Sequence, residues 1–181
     1  MSRRIRPATV IAALLFAIAG CRFESTIDKD GGAELAVRFH ALANQSLDRI
    51  AKDMSSAHVE VVSKSKDKDN WVTVNLKLKD ITKLSTAEFF SAVAITLTSD
   101  AKEGTKTLKA VSTNKKPVDK MPDNIVAHYG KDVTIIAKLP GEIVKSNATS
   151  TTGQAATWTY DLKKFFAEKQ NVMEVTYKLA K

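Results

Sequence analysis

The chain of 181 residues is poor in the residues that usually announce a chemistry: it has one cysteine, three histidines, four prolines, seven glycines and 7% aromatics. A single cysteine excludes an internal disulfide framework, so a core has to hold the fold together. His40, His58 and His128 lie in separate segments without HxxxH or HExxH spacing and without a cysteine partner, which leaves no metal site to predict. GxSxG, P-loop and GxGxxG motifs are missing, and the carboxylates are scattered, so no catalytic residue is assigned. No apolar run reaches the ~20 residues of a membrane-spanning helix. Sparse proline and glycine exclude a low-complexity chain, and 44% hydrophobic content fits one globular domain plus a short extra segment.

The net charge of +8 is unevenly spread. Arg3, Arg4 and Arg6 belong to the first twenty residues, which contain no acid, and setting them aside leaves +5. Residues 64–120 hold twelve lysines against seven acids. Without a nucleic-acid motif this basicity reads as a solvated surface or a contact for anionic headgroups, and no nucleic-acid partner is expected.

The first residues have the layout of a cleaved secretory signal: Ser2-Arg3-Arg4-Ile5-Arg6-Pro7 is positive, and Ala8 to Gly20 is apolar and ends in small residues. Ile5-Arg6-Pro7 departs from the twin-arginine pattern that Arg3-Arg4 invites. Ile18-Ala19-Gly20-Cys21 resembles the bacterial lipobox, an aliphatic residue and two small ones before the lipid-accepting cysteine. That resemblance implies cleavage before Cys21, a covalent lipid on its sulfur as the sole cofactor-like group, and acylation of the new amine. At about 0.8 kcal/mol per buried methylene, two or three chains make a stable anchor. Residues 1–20 are thus expected to be a signal-peptide helix, and 21–181 a lipid-anchored domain at the extracytoplasmic side of a cell membrane or outer membrane. Arg22 stands where an aspartate would resemble an inner-membrane retention signal, so the periplasmic face of the outer membrane is expected if the envelope is Gram-negative.

In the remainder, hydrophobic periods alternate between two and about 3.6. Phe23–Asp28 and Leu35–Phe39 flank the turn Asp28-Lys29-Asp30-Gly31-Gly32, which reads as a hairpin, since the acidic twelfth position of a calcium loop is missing. Ala43, Leu47, Ile50, Ala51 and Met54 predict a helix over about 41–56. Val59 and Val61, then Val72, Val74, Leu76 and Leu78, predict strands either side of a charged turn, and Ser85-Thr86-Ala87-Glu88 reads as a capping box for a short helix through Phe89, Phe90 and Val93. A strand pair turns around Gly104, and 113–124 reads as a loop. Val133 to Leu139 ends at Pro140-Gly141, and Ile143–Ala148 and Ala156–Leu162 form a hairpin about a polar tip. A helical or turn-like stretch over 163–169 and a last strand over 173–179 complete an α+β domain. Its sheet is largely antiparallel, with two or three short helices packed on it.

The lipobox, the early DKDGG turn, Leu139-Pro140-Gly141, Asn147, a glycine turn and Trp158 together resemble the LppM-like lipoprotein domain. The resemblance spans about 22–180 and implies a tethered extracytoplasmic domain that handles envelope lipids or glycolipids, with no catalytic residue. Some members continue into a C-terminal membrane helix, whereas this chain ends at Lys181, so Cys21 is the expected anchor.

The favoured function is therefore a non-enzymatic envelope module that binds lipid, glycolipid or a partner protein. The alternative is an envelope hydrolase whose residues converge only on folding. Trp158 shares the phase of Tyr160 and Leu162 and reads as core. Trp71 is out of phase with Val72, Val74, Leu76 and Leu78, so pleating sends Trp71, Lys77 and Lys79 to the opposite face, a membrane or ligand contact surface.

Overall fold

The structure, a computed structural model, describes residues 20–179 apart from Ala43 and Asp119. The expected signal-peptide helix lies outside the described residues, except that Gly20 already belongs to the first strand.

That strand, β1 (Gly20–Ile27), pairs antiparallel with β2 (Ala33–His40) through the DKDGG turn. The Asp28 carboxylate accepts the amides of Asp30 and Gly32 at 2.8 and 2.9 Å, so it serves the turn. Next, β3 (Val59–Lys66) and β4 (Trp71–Leu78) extend this sheet, with Val72, Val74, Leu76 and Leu78 buried as their period of two requires. On the other side of β1 lies β7 (Asp132–Lys138), the one parallel neighbour among these pairs, followed by β10 (Ala155–Asp161) and short β9 (Ser150–Thr152). A second sheet runs β5 (Val93–Asp100), β6 (Thr105–Thr113), β11 (Gln170–Leu179), β8 (Gly141–Ser146), all antiparallel. The sheets share one continuous core, from Val37 and Val74 to Val175 and Tyr177.

The α+β, mostly antiparallel expectation holds, but the strands divide between two facing sheets. β8, which the sequence reading pairs with β10, is the strand whose sheet differs from expectation. After Pro140 the chain leaves β7, and Gly141 lies so close to β11 that a Cβ would stand 2.1 Å from the Lys178 carbonyl oxygen. β8 therefore joins β11 in the second sheet, and the hairpin partner of β10 is β9.

The helices also differ from expectation. α1 covers only Leu47–Asp53, capped by Ser46, whose side chain accepts the Arg49 amide. The Gln45 side chain accepts the Leu42 amide, and both residues stand outside the helix; Ala43, the first apolar position of the predicted stripe, lies outside the described residues. The Ser85 capping box does not form. Ser85 lies inside a 3-10 helix, Ile81–Thr86, capped by Asp80, and Glu88–Phe90 is a separate 3-10 turn without a side-chain cap. Val93 already belongs to β5. α2 (Asp123–Tyr129) falls at the end of the predicted loop and buries no residue, so it had no apolar stripe to announce it. α3 (Leu162–Ala167) is capped by Asp161.

Candidate functional site: an apolar cavity between the sheets

Packed sheets normally lie about 10 Å apart and fill that gap with large side chains. Here Ser25 and Ala137 of the first sheet and Ala110 and Ser112 of the second point into the gap, too small to close it. A cavity of about 300 Å³ results. Its walls are otherwise large and apolar: Phe23, Ile135 and Trp158 on one side, Ile95, Leu108 and Met173 on the other. No charged residue lines it. The hollow explains why Cys21, Phe23 and Ser25 are only half-buried although β1 is internal to its sheet.

Two aromatic pairs frame one end of the cavity. Phe89 and Phe90 come from the 3-10 turn, and Phe165 and Phe166 from α3; Phe89 is 41% and Phe166 37% exposed, so the cavity opens beside them. α3 is held there by amides. Asn114 donates to the carbonyls of Phe165 and Glu168, both at 2.7 Å, and Asn171 donates to the Phe165 carbonyl at 2.8 Å. Neither asparagine carries a motif; Asn114 acts through contacts about fifty residues away in sequence, and Asn171 through one six residues back.

Cys21 lines this cavity from the start of β1. Burial pushes its thiol up to about 11, so at neutral pH an unmodified sulfur is protonated and a poor nucleophile. Burial first, and then the nearby Cys21 sulfur, raise the Tyr129 phenol of α2.

Trp71, Lys77 and Lys79 are not gathered into one patch. Trp71 begins β4 and Lys77 lies six residues on, about 20 Å along the strand. The Trp71 ring is engaged by Arg38, whose guanidinium carbon is 4.7 Å from its centroid, and by the edge of His40 at 5.3 Å. Lys77 is exposed but flanked in register by Glu34 on β2 and Glu60 on β3, which offset its charge. Folding does bring together two histidines that the sequence separates: His40 Nδ1 lies 3.0 Å from His128 Nε2, sharing one hydrogen bond. Among the described residues no group of three His, Cys, Asp or Glu is placed to hold a metal ion. No described helix is long and apolar enough to cross a membrane.

Trp158 is core, at 3% exposure. Its indole N–H donates to Asn147 Oδ1 at 2.8 Å; the same oxygen accepts the Glu174 amide at 2.8 Å, and Asn147 Nδ2 donates to the Val172 carbonyl at 2.9 Å. Asn147 therefore ties β10 of the first sheet to β11 of the second.

Two facing, mostly antiparallel sheets closed by short helices around an apolar hollow define an LppM-like α+β fold. The folded domain of Mycobacterium tuberculosis LppM, solved by NMR, superposes with a TM-score of 0.53 over 93% of this chain and 95% of that domain, at 14% identity. No family model and no curated protein matches the chain.

Proposed function

We propose that the chain is an extracytoplasmic lipoprotein, tethered through lipid on Cys21, whose domain binds an acyl chain of an envelope lipid or glycolipid without catalysing a reaction. The observation that carries this reading is the cavity: about 300 Å³, lined mainly by apolar side chains with no charged residue among them, and open beside Phe89 and Phe166. That volume is at the small end of ligand sites and suits a slender chain, with the headgroup left at the mouth. Burying a hydrocarbon chain there removes its surface from water at about 25 cal/mol per Å². The lining supplies no His, Asp, Glu or Lys for acid–base work, which favours binding over the hydrolase alternative. The fold shared with LppM agrees with an envelope role.

The test is lipid content. Residues 20–181 contain every described strand and the whole described core, so they are produced alone and their organic extract is examined by mass spectrometry. A stoichiometric acyl lipid is expected. Ala110 faces the hollow, and Ala110→Phe should abolish that lipid and the uptake of a fluorescent polyene fatty acid. Empty wild-type protein that also ignores the fatty acid would overturn the reading.

A further inference from the structure

We infer that the end of the sandwich carrying the cavity mouth is the face by which the domain docks on an anionic bilayer. This inference rests on the acyl-chain reading, and it adds where the lipid is exchanged.

Three independent features meet at this end. First, two phenylalanines of the lining, Phe89 and Phe166, are exposed beside the opening, a costly arrangement in water and a favourable one at a membrane interface. Exposed Val118 joins them, its amide donating to the Phe166 carbonyl at 3.0 Å.

Second, the surrounding backbone is basic. Segments 114–120 and 162–169 contain Lys115, Lys116, Lys120, Lys163, Lys164 and Lys169 against Asp119 and Glu168. Lys163 is paired with Asp123 at 2.8 Å, Asp161 caps α3 next to it, and Glu88 stands beside Phe89, so the rim is only modestly net positive, with Lys115, Lys116 and Lys164 as exposed cations. The two segments are neighbours in space, since the Asn114 amide donates to the Lys169 carbonyl at 2.9 Å. Apolar groups inside a basic rim complement an anionic headgroup layer over hydrocarbon.

Third, Cys21, the second residue of β1, lies at this same end and lines the same cavity. A tether there and a mouth there face the membrane together, whereas Lys77 and Lys79 lie toward the far end of β4.

The experiment uses residues 20–181 carrying Cys21→Ala, so that no acyl anchor contributes, with circular dichroism to confirm that each variant is folded. Sedimentation with phosphatidylglycerol–phosphatidylcholine vesicles at low salt should show binding, and pure phosphatidylcholine should bind far less. Each lysine near such a surface contributes roughly a fivefold factor, so Lys115→Glu, Lys116→Glu and Lys164→Glu together should weaken binding at least about a hundredfold. That triple variant should still take up the soluble polyene fatty acid, because none of the three lines the cavity. Phe89→Ser with Phe166→Ser should weaken binding to the anionic vesicles, and Lys77→Glu with Lys79→Glu should leave it unchanged. Equal binding by wild type and the lysine triple variant, or no binding by wild type, overturns the docking face. Fatty-acid uptake without vesicle binding defeats the face alone. Vesicle binding without uptake defeats the cavity reading and keeps the face.

Discussion

Cys21 lines the hollow from β1. As an unmodified residue it is a half-buried thiol against an apolar hollow, and burial holds its pKa near 11. Its reaction with a thiol reagent at pH 8 should therefore be slow in the folded domain and fast in urea, because only the thiolate attacks. In cells the whole chain should incorporate labelled acyl chains and Cys21→Ala should not; labelling of the variant would defeat the tether. Glu24 is a second residue whose setting predicts behaviour. Its carboxylate meets Lys138 at 2.6 Å and Arg22 at 2.9 Å, and the hydrogen bond from Lys138, ahead of that from Arg22, lowers its pKa despite partial burial. A carboxyl lowered in the folded state stabilises above its unfolded value, about 4.3, and that contribution is lost as the pH falls through the folded value. Glu24→Gln should then lower the urea midpoint at pH 7, and the difference from wild type should shrink as the pH falls below about 4.

At the scale of elements, the crossing from β7 to β8 organises the molecule. Gly141 is required there by contact: a Cβ would meet the Lys178 carbonyl oxygen at 2.1 Å and its carbon at 2.7 Å, both backbone atoms that cannot rotate away. Gly141→Ala should destabilise by about 1–3 kcal/mol, as other overpacked sites do. Asn147→Ala should cost a similar ~1–3 kcal/mol, since it strands the Trp158 indole N–H and the Glu174 amide. Denaturant titration measures both, and no loss in either would mean that the two sheets are held by apolar packing alone. These are residues on which the family resemblance rests, Leu139-Pro140-Gly141, Asn147 and Trp158, and the structure gives them a common task in joining the sheets. That task was hidden in the sequence, because a strand's period reports which face is buried and says nothing about which neighbour it pairs with.

As a whole molecule, the domain trades packing for a hollow. An unfilled apolar cavity destabilises by about 24 cal/mol per Å³, so an empty space of this size is a burden that a bound chain would relieve. Ala110→Phe should accordingly match or exceed wild type in stability while losing fatty-acid uptake, which separates loss of binding from loss of fold. The charge pattern also changes meaning once folded. Of the lysines dense in the middle of the sequence, those on β4 such as Lys77 stand beside acids such as Glu34 and Glu60, whereas Lys115, Lys116 and Lys120 at its end join 162–169 to form the basic rim.

The sequence by itself determined the α+β class, the alternation of Val72 to Leu78 and of Met173 to Leu179, the DKDGG turn and the burial of Trp158. Each of these depends on local period, turn chemistry or side-chain size. It also singled out Cys21 and, through short motifs, the LppM-like domain whose fold the structure shares. Only the tertiary structure decided that there are two sheets, that Gly141 sends β8 to the second, that His40 meets His128, and that Trp71 stands apart from Lys77. Above all it decided the cavity. A void has no residue of its own: it arises where Ser25, Ala110, Ser112 and Ala137, distant in sequence and unremarkable in their strands, come to face one another across the gap between two sheets.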